Sequence, residues 1–94
     1  MLYVLPPDEY KALCRSVLER DGWQCRNPHC KWRNNLHIHH IIFRSEQGPD
    51  ESWNLVAICN ACHDAVHAYR LSIGVEPGVP VGPGGGADGK LRFT

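Results

Sequence analysis

The sequence predicts a small α+β domain held together by metal rather than by a large apolar core. Three observations carry that prediction. The chain has 94 residues, and five of them are Cys and six His; a domain of this size buries a modest fraction of its surface and commonly needs a staple. Four of the cysteines fall in two close pairs, Cys25-x4-Cys30 and Cys59-x2-Cys62, separated by a long gap. Short paired spacings of this kind suit one ion per four sulfurs, whereas a disulfide across so short a loop is strained. Finally, the apolar pattern changes from helical to strand-like and back along the chain, so both element types belong to one unit.

The elements follow in order. Tyr10, Leu13, Cys14, Val17 and Leu18 obey the i, i+3, i+4, i+7, i+8 rule of a one-faced helix. Pro6-Pro7 breaks the residues before it, Asp8 is placed to cap the helix, and Asp21-Gly22 stops it. Cys14 lies on the apolar stripe and reads as a small core residue. Trp23 to Cys30 forms a first knuckle with Asn27-Pro28 as its turn. Leu36 to Phe43 (LHIHHIIF) reads as a strand, Ser45 to Ser52 (SEQGPDES) as a polar loop, and Leu55 to Ile58 as a second strand. Cys59 follows, and Asn60 caps a helix running to about Leu71. Gly74 to Gly89 holds seven Gly and three Pro, too few apolar side chains to offset the entropy of ordering. The expected division is therefore a folded unit over 1–73 and a flexible Gly/Pro-rich tail over 74–94. Trp23 and Trp53 are expected to pack under the knuckle and the loop, and Trp32 to be available for stacking on a base.

Composition narrows the function classes. No run approaches eighteen apolar residues, which excludes a spanning helix, and the leading MLYVLPPDEY lacks the marks of a secretory signal, so a cytoplasmic setting is expected. Ten basic residues balance ten acidic ones, but unevenly. Residues 23–44 hold Arg26, Lys31, Arg33 and Arg44 and no acid, which makes this segment the place where a polyanion would be drawn.

The histidines point to a second centre. His63 and His67 are four apart on the last predicted helix and share a face. Cys62 and His63 diverge by about 100° around the same helix, so one ion does not take both and the Cys and His sets serve different centres. His39 and His40 lie on the strand expected to pack beside that helix.

Taken together, Ile38-His39-His40-Ile41, Asn54-Leu55-Val56 and Cys59-x2-Cys62-His63-x3-His67 resemble the HNH endonucleases of the ββα-metal class. The lead-in Leu18-Glu19-Arg20-Asp21-Gly22-Trp23-Gln24-Cys25 is similar to that of zinc-bearing members, and the likeness spans roughly residues 10 to 70. The resemblance implies a ββα-metal (His-Me finger) core with an N-terminal helix and a four-cysteine zinc clip. It implies His40 as the general base, and His39, His63 and His67 as ligands of a catalytic divalent ion, commonly Mg2+ or Mn2+. A ligand set rich in imidazole also suits Ni2+, Co2+ or Zn2+. Asn54 is the middle letter of the motif and ties the loop that orients the base; Cys25, Cys30, Cys59 and Cys62 hold the structural Zn2+.

The chemistry agrees with that division of labour. A neutral imidazole is matched to taking a proton from water near neutral pH, and a zinc closed by four thiolates cannot act as a Lewis acid, so a distinct second ion is required. The expected activity is hydrolysis of DNA phosphodiester bonds, with Arg26, Lys31, Arg33 and Arg44 on the backbone of the duplex. The alternative is a zinc-stapled nucleic-acid-binding module without turnover, which needs the cysteines and the basic segment but not His40. One point of strand geometry stands against the assignment: consecutive residues face opposite sides of a pleat, so His39 and His40 share a centre only if the strand departs from regularity there. His37 and His39 share a face, and His37 and His29 are expected to be surface residues.

Overall fold

The computed structural model describes residues 5–75, 85–89 and 91–94. The leading residues 1–4 and the Gly/Pro-rich stretch 76–84 lie outside the described residues, as does Lys90.

Helix α1 spans Pro7–Arg20. Pro7 occupies the first helical turn, where its fixed φ suits a helix start, and Asp8 and Glu9 sit in the same turn against the positive end of the helix dipole. The cap expected from Asp8 is not made: Pro6 holds the capping position with no side-chain bond, so Asp8 contributes by charge alone. The helix ends in a Schellman turn, with Gly22 N–H on the Glu19 carbonyl at 3.2 Å and Trp23 N–H on the Leu18 carbonyl at 2.9 Å. Gly22 has φ +75°, which explains why the Asp-Gly stop works.

Strands β1 (Leu36–His40) and β2 (Leu55–Cys59) pair antiparallel, with Ile38 opposite Ala57 and His40 opposite Leu55. The predicted first strand ran to Phe43, three residues further. It stops at His40 because the main-chain N–H of Ile42 bonds the Asn54 side-chain Oδ1 at 2.8 Å instead of another strand. Two 3-10 turns, Arg44–Glu46 and Ser52–Asn54, complete the loop between the strands. Helix α2 (Asn60–His67) follows β2 directly. Its cap is Cys59, whose Sγ accepts from the Cys62 N–H at 3.5 Å, and not Asn60 as expected. The helix is four residues shorter than predicted because Tyr69, at φ +58°, closes it with Arg70 N–H on the Ala65 carbonyl at 2.8 Å.

The core runs along β2. All five of its residues are buried, because α1, β1, α2 and the C-terminal segment cover it. Among the described residues, Val17 of α1, Cys25, Cys62 and Ala87 complete the buried apolar set. Asp21 fastens α1 to this strand: its carboxylate, 1% exposed, accepts from the Ala57 N–H at 3.0 Å, from Arg20 at 2.8 Å and from Arg26 at 2.7 Å. Trp23, expected to be packed, is 47% exposed.

Part of the stretch predicted as a flexible tail has defined structure among the described residues. Ile73–Val75 (β3) pairs antiparallel with Leu91–Phe93 (β4), and Gly86–Asp88 forms a 3-10 turn. Ala87 is buried, Asp88 bonds Arg20 and Ser52, and Arg26 donates to the Ala87 and Gly89 carbonyls. Composition undercounts such a segment because backbone carbonyls and one carboxylate anchor it alongside a few apolar side chains, Ala87, Leu91 and Phe93. Gly86 fits only as glycine, since a Cβ there would collide with the Trp53 carbonyl.

Candidate metal centres

Two clusters of ligating side chains draw on α2, one through Cys62 and the other through His63 and His67. The first gathers Cys25, Cys30, Cys59 and Cys62, whose sulfurs all lie within 4.8 Å of one another. The knuckle that carries the first pair is set by main-chain bonds, Cys25 N–H to the Trp32 carbonyl at 2.6 Å and Cys30 N–H to the Asn27 carbonyl at 3.0 Å. Asn27 is buried, shapes the turn through the His29 N–H at 3.0 Å, and donates to Cys62 Sγ at 3.5 Å. Cys30 Sγ and Cys59 Sγ stand 3.6 Å apart, too far for a disulfide and close to the ~3.8 Å expected of two thiolates on one tetrahedral ion. Burial pushes the Cys62 thiol up to about 12. Burial also acts on Cys59, yet the Cys62 N–H and the neighbouring thiols hold it below the usual thiol range. Four converging sulfurs, three of them buried and one with its thiol pKa lowered, fit a cation that displaces their protons.

The second cluster gathers His39 from β1 with His63 and His67 from α2, again with one nitrogen from each within 4.8 Å of the others. His63 and His67 Nε2 atoms are 3.1 Å apart, near the ~3.3 Å of two imidazoles sharing a tetrahedral ion. Phe43 packs edge-on to His39 at 5.8 Å and parallel to His67 at 6.1 Å, which orients both rings. His39 is buried, and burial, with His63 and His67 beside it, pushes its pKa down to about 4. Burial and His67 likewise lower His63. Low basicity keeps these rings neutral, which is the form that ligates a metal. The donor set therefore fits a divalent ion. His37, read as a surface residue, is exposed but lies parallel to His63 with ring centroids 5.2 Å apart.

The pleat stays regular through His39 and His40, opposite Val56 and Leu55, so the departure expected from the strand does not occur. His39 turns to α2, while His40 turns to α1, where its ring lies parallel to Tyr10 at 6.3 Å. His40 is not in the imidazole cluster; its Nε2 is 2.8 Å from Asp50 Oδ1. Both histidines nevertheless border one cavity of about 210 Å³, together with Arg44, His63 and His67.

Asn54 is fully buried, and its side-chain hydrogen bonds go to Ile42 and Pro49 rather than to His40. Its amide spans the loop, accepting from Ile42 N–H at 2.8 Å and donating to the Ile42 and Pro49 carbonyls at 3.0 Å each. Asp50, next to Pro49, was missed from the sequence, where it reads as one acid in a polar loop ten residues from His40 with no spacing that marks it. Its carboxyl is fully buried and accepts from Leu5 N–H at 3.2 Å and from Arg44 at 3.2 Å, besides its bond to His40.

The basic segment divides. Arg44 is about half exposed, borders the cavity, and lies 4.9 Å over the Tyr10 ring. Lys31 and Arg33 are exposed on the knuckle side. Arg26 departs from the expectation of a backbone contact, because its guanidinium is spent on Asp21 and the Ala87 and Gly89 carbonyls.

The family model for HNH endonuclease matches residues 24–69, a span that contains all four cysteines, the three clustered histidines, His40, Asp50 and Asn54. That segment belongs to the HNH endonuclease family. No curated protein and no solved structure matches the chain. HNH membership points to a nuclease-type function, and the two metal-ready clusters are consistent with it. Helix α1 and the C-terminal segment lie outside the HNH span and act on it as supports, through Tyr10, Asp21 and Ala87.

Proposed function

We propose that the chain is a metal-dependent HNH endonuclease that hydrolyses phosphodiester bonds of DNA on a ββα-metal core formed by β1, β2 and α2. The observation that carries this reading is the meeting of three imidazoles, His39, His63 and His67, with a fourth, His40, on one cavity rimmed by Arg44. A pure binding module has no use for that combination.

In this reading His39, His63 and His67 hold a divalent ion, which supplies Lewis-acid stabilisation of the phosphoryl charge and of the leaving oxygen. His40 takes the proton from the attacking water. Arg44 grips a phosphate oxygen at the cavity edge, and Lys31 and Arg33 hold the duplex further out. Asn54 serves as a positioning residue, since its amide ties both ends of the loop that follows His40. Cys25, Cys30, Cys59 and Cys62 hold a structural Zn2+ that joins the knuckle to the start of α2. Attack on phosphorus with departure of the 3′ oxygen leaves a 5′-phosphate and a 3′-hydroxyl, as family members do.

The test is nicking of supercoiled plasmid by the zinc-loaded chain and by His40→Ala, with Mg2+, Mn2+ or Ni2+ added. Cleavage that requires an added ion and falls by at least ~10²-fold in the variant is the expected result. If neither protein cuts while both retard DNA equally in a gel, the chain is a binding module.

A further inference from the structure

Among the described residues, Asp50 is the one buried acid whose bonds lead directly into the site. Its carboxyl has no exposure, and Oδ1 lies 2.8 Å from His40 Nε2. Its other partners are all donors: the Leu5 N–H at 3.2 Å on Oδ2, and the Arg44 guanidinium at 3.2 to 3.3 Å. Although burial alone would raise it, the bonds from His40, Leu5 and Arg44 hold the Asp50 carboxyl below the usual carboxylate range. An ionised carboxylate offers only acceptors. The atom of His40 that faces it must therefore carry a hydrogen.

We propose that Asp50 is a positioning residue that holds His40 as the Nε2–H tautomer and thereby makes Nδ1 the basic nitrogen. The inference rests on the nuclease reading above for its consequence, but the tautomer follows from the contact itself. A neutral imidazole has one N–H and one lone pair; fixing the hydrogen on Nε2 leaves the lone pair on Nδ1. The parallel Tyr10 ring at 6.3 Å and the regular β1 backbone restrict rotation of the ring. Asn54 completes the arrangement at one remove. By bonding Ile42, two residues after His40, and Pro49, one before Asp50, it keeps the carboxylate against the ring. The same carboxylate steers Arg44, so the base and the phosphate-gripping cation are aligned by one buried anion.

The change that isolates this role is Asp50→Asn, close in volume but able to turn an amide N–H toward Nε2 and so permit the other tautomer. Two measurements decide. Long-range 1H–15N NMR on the zinc-loaded, full-length wild type reports which His40 nitrogen bears the hydrogen, with His40→Gln used to assign the signals. Plasmid nicking by wild type and Asp50→Asn, matched for zinc content and cooperative melting, reports the rate. The expected results are an Nε2–H signature in the wild type, its loss or mixing in Asp50→Asn, and a fall in kcat of order 10²–10⁴ with KM little changed, the size seen when a catalytic histidine is left in the wrong tautomer. An Nδ1–H signature in the wild type overturns the proposal whether or not the variant folds. So does a folded Asp50→Asn that cuts at the wild-type rate. A wild type that shows the Nε2–H signature but cuts no DNA upholds the assignment of the tautomer and fails the nuclease reading alone.

Discussion

At the residue scale, the site depends on which imidazoles stay neutral. His39 is the clearest case: burial and two neighbouring histidines bring its pKa to about 4, below the ~6.5 of an exposed ring. The sign follows from proton uptake. Between about pH 4 and 6.5 the unfolded chain binds the proton and the folded chain refuses it, so stability is full above that window and lost as pH falls through it. The melting temperature of the chain, with the four-cysteine site zinc-loaded, is expected to decline between about pH 6.5 and 5, and His39→Gln to flatten that decline. Identical pH profiles for the two proteins would mean that His39 is not the group responsible. His40 has a different partner, the Asp50 carboxylate at 2.8 Å. Adjacent residues on one strand thus acquire different chemistry from the two faces of a regular pleat.

At the element scale, the loop between β1 and β2 does more than connect strands. Asn54 pins its two ends, Asp50 returns to His40, and the Gly48 N–H bonds the Phe43 carbonyl at 2.9 Å. Gly48 is buried, and a Cβ there would collide with the Ile42 carbonyl, which is backbone and has no room to yield. Gly48→Ala is therefore expected to move the loop rather than a side chain. The predicted outcome is a melting temperature lower by several degrees, on the order of 1–3 kcal/mol, and a loss of nicking larger than the loss of stability, with zinc content unchanged. Zinc analysis, calorimetry and plasmid nicking on one preparation check all three. Wild-type nicking in the variant would show that the loop path is not what holds Asp50 in place.

At the scale of the whole molecule, the fold is fastened at its ends. The four cysteines join the knuckle to β2 and α2, and the core around them is small. Cys59→Ser is expected to abolish the cooperative melt, because a structural zinc supplies folding free energy of about 10 kcal/mol or more; a sharp transition that survives chelation would show that the apolar core suffices. The C-terminal segment is the second fastening. Arg20 and Arg26 reach from the HNH region and its lead-in to Asp88 and to the Ala87 and Gly89 carbonyls. Arg26→Ala is therefore expected to lower the melting temperature by about 4–8 °C while leaving the salt dependence of DNA binding as it was, whereas a phosphate-contacting arginine would lower the salt slope by about one. Titration of a labelled duplex at several salt concentrations, alongside thermal melts, separates the two roles.

What was legible in the sequence was whatever spacing alone encodes. Paired cysteines, the HxxxH step on one helix face and the apolar period of α1 identify ligands and helices without knowledge of their neighbours, because the geometry involved is local. The order helix, knuckle, strand, strand, helix followed from the same signals, and the HNH family match covers the segment where they are densest. Element ends were less legible: β1 stops three residues early because the Asn54 side chain takes over its pairing, and α2 stops at His67 because Tyr69 adopts a left-handed turn. Tertiary structure alone decided the rest. Asp50 joins His40 across ten residues, Arg26 is drawn from solvent by Asp21 and two distant carbonyls, and a glycine-rich segment becomes part of the core through Ala87. Each of these is a contact between groups that no periodicity links. A side chain's partner, unlike its period, exists only once the chain has folded.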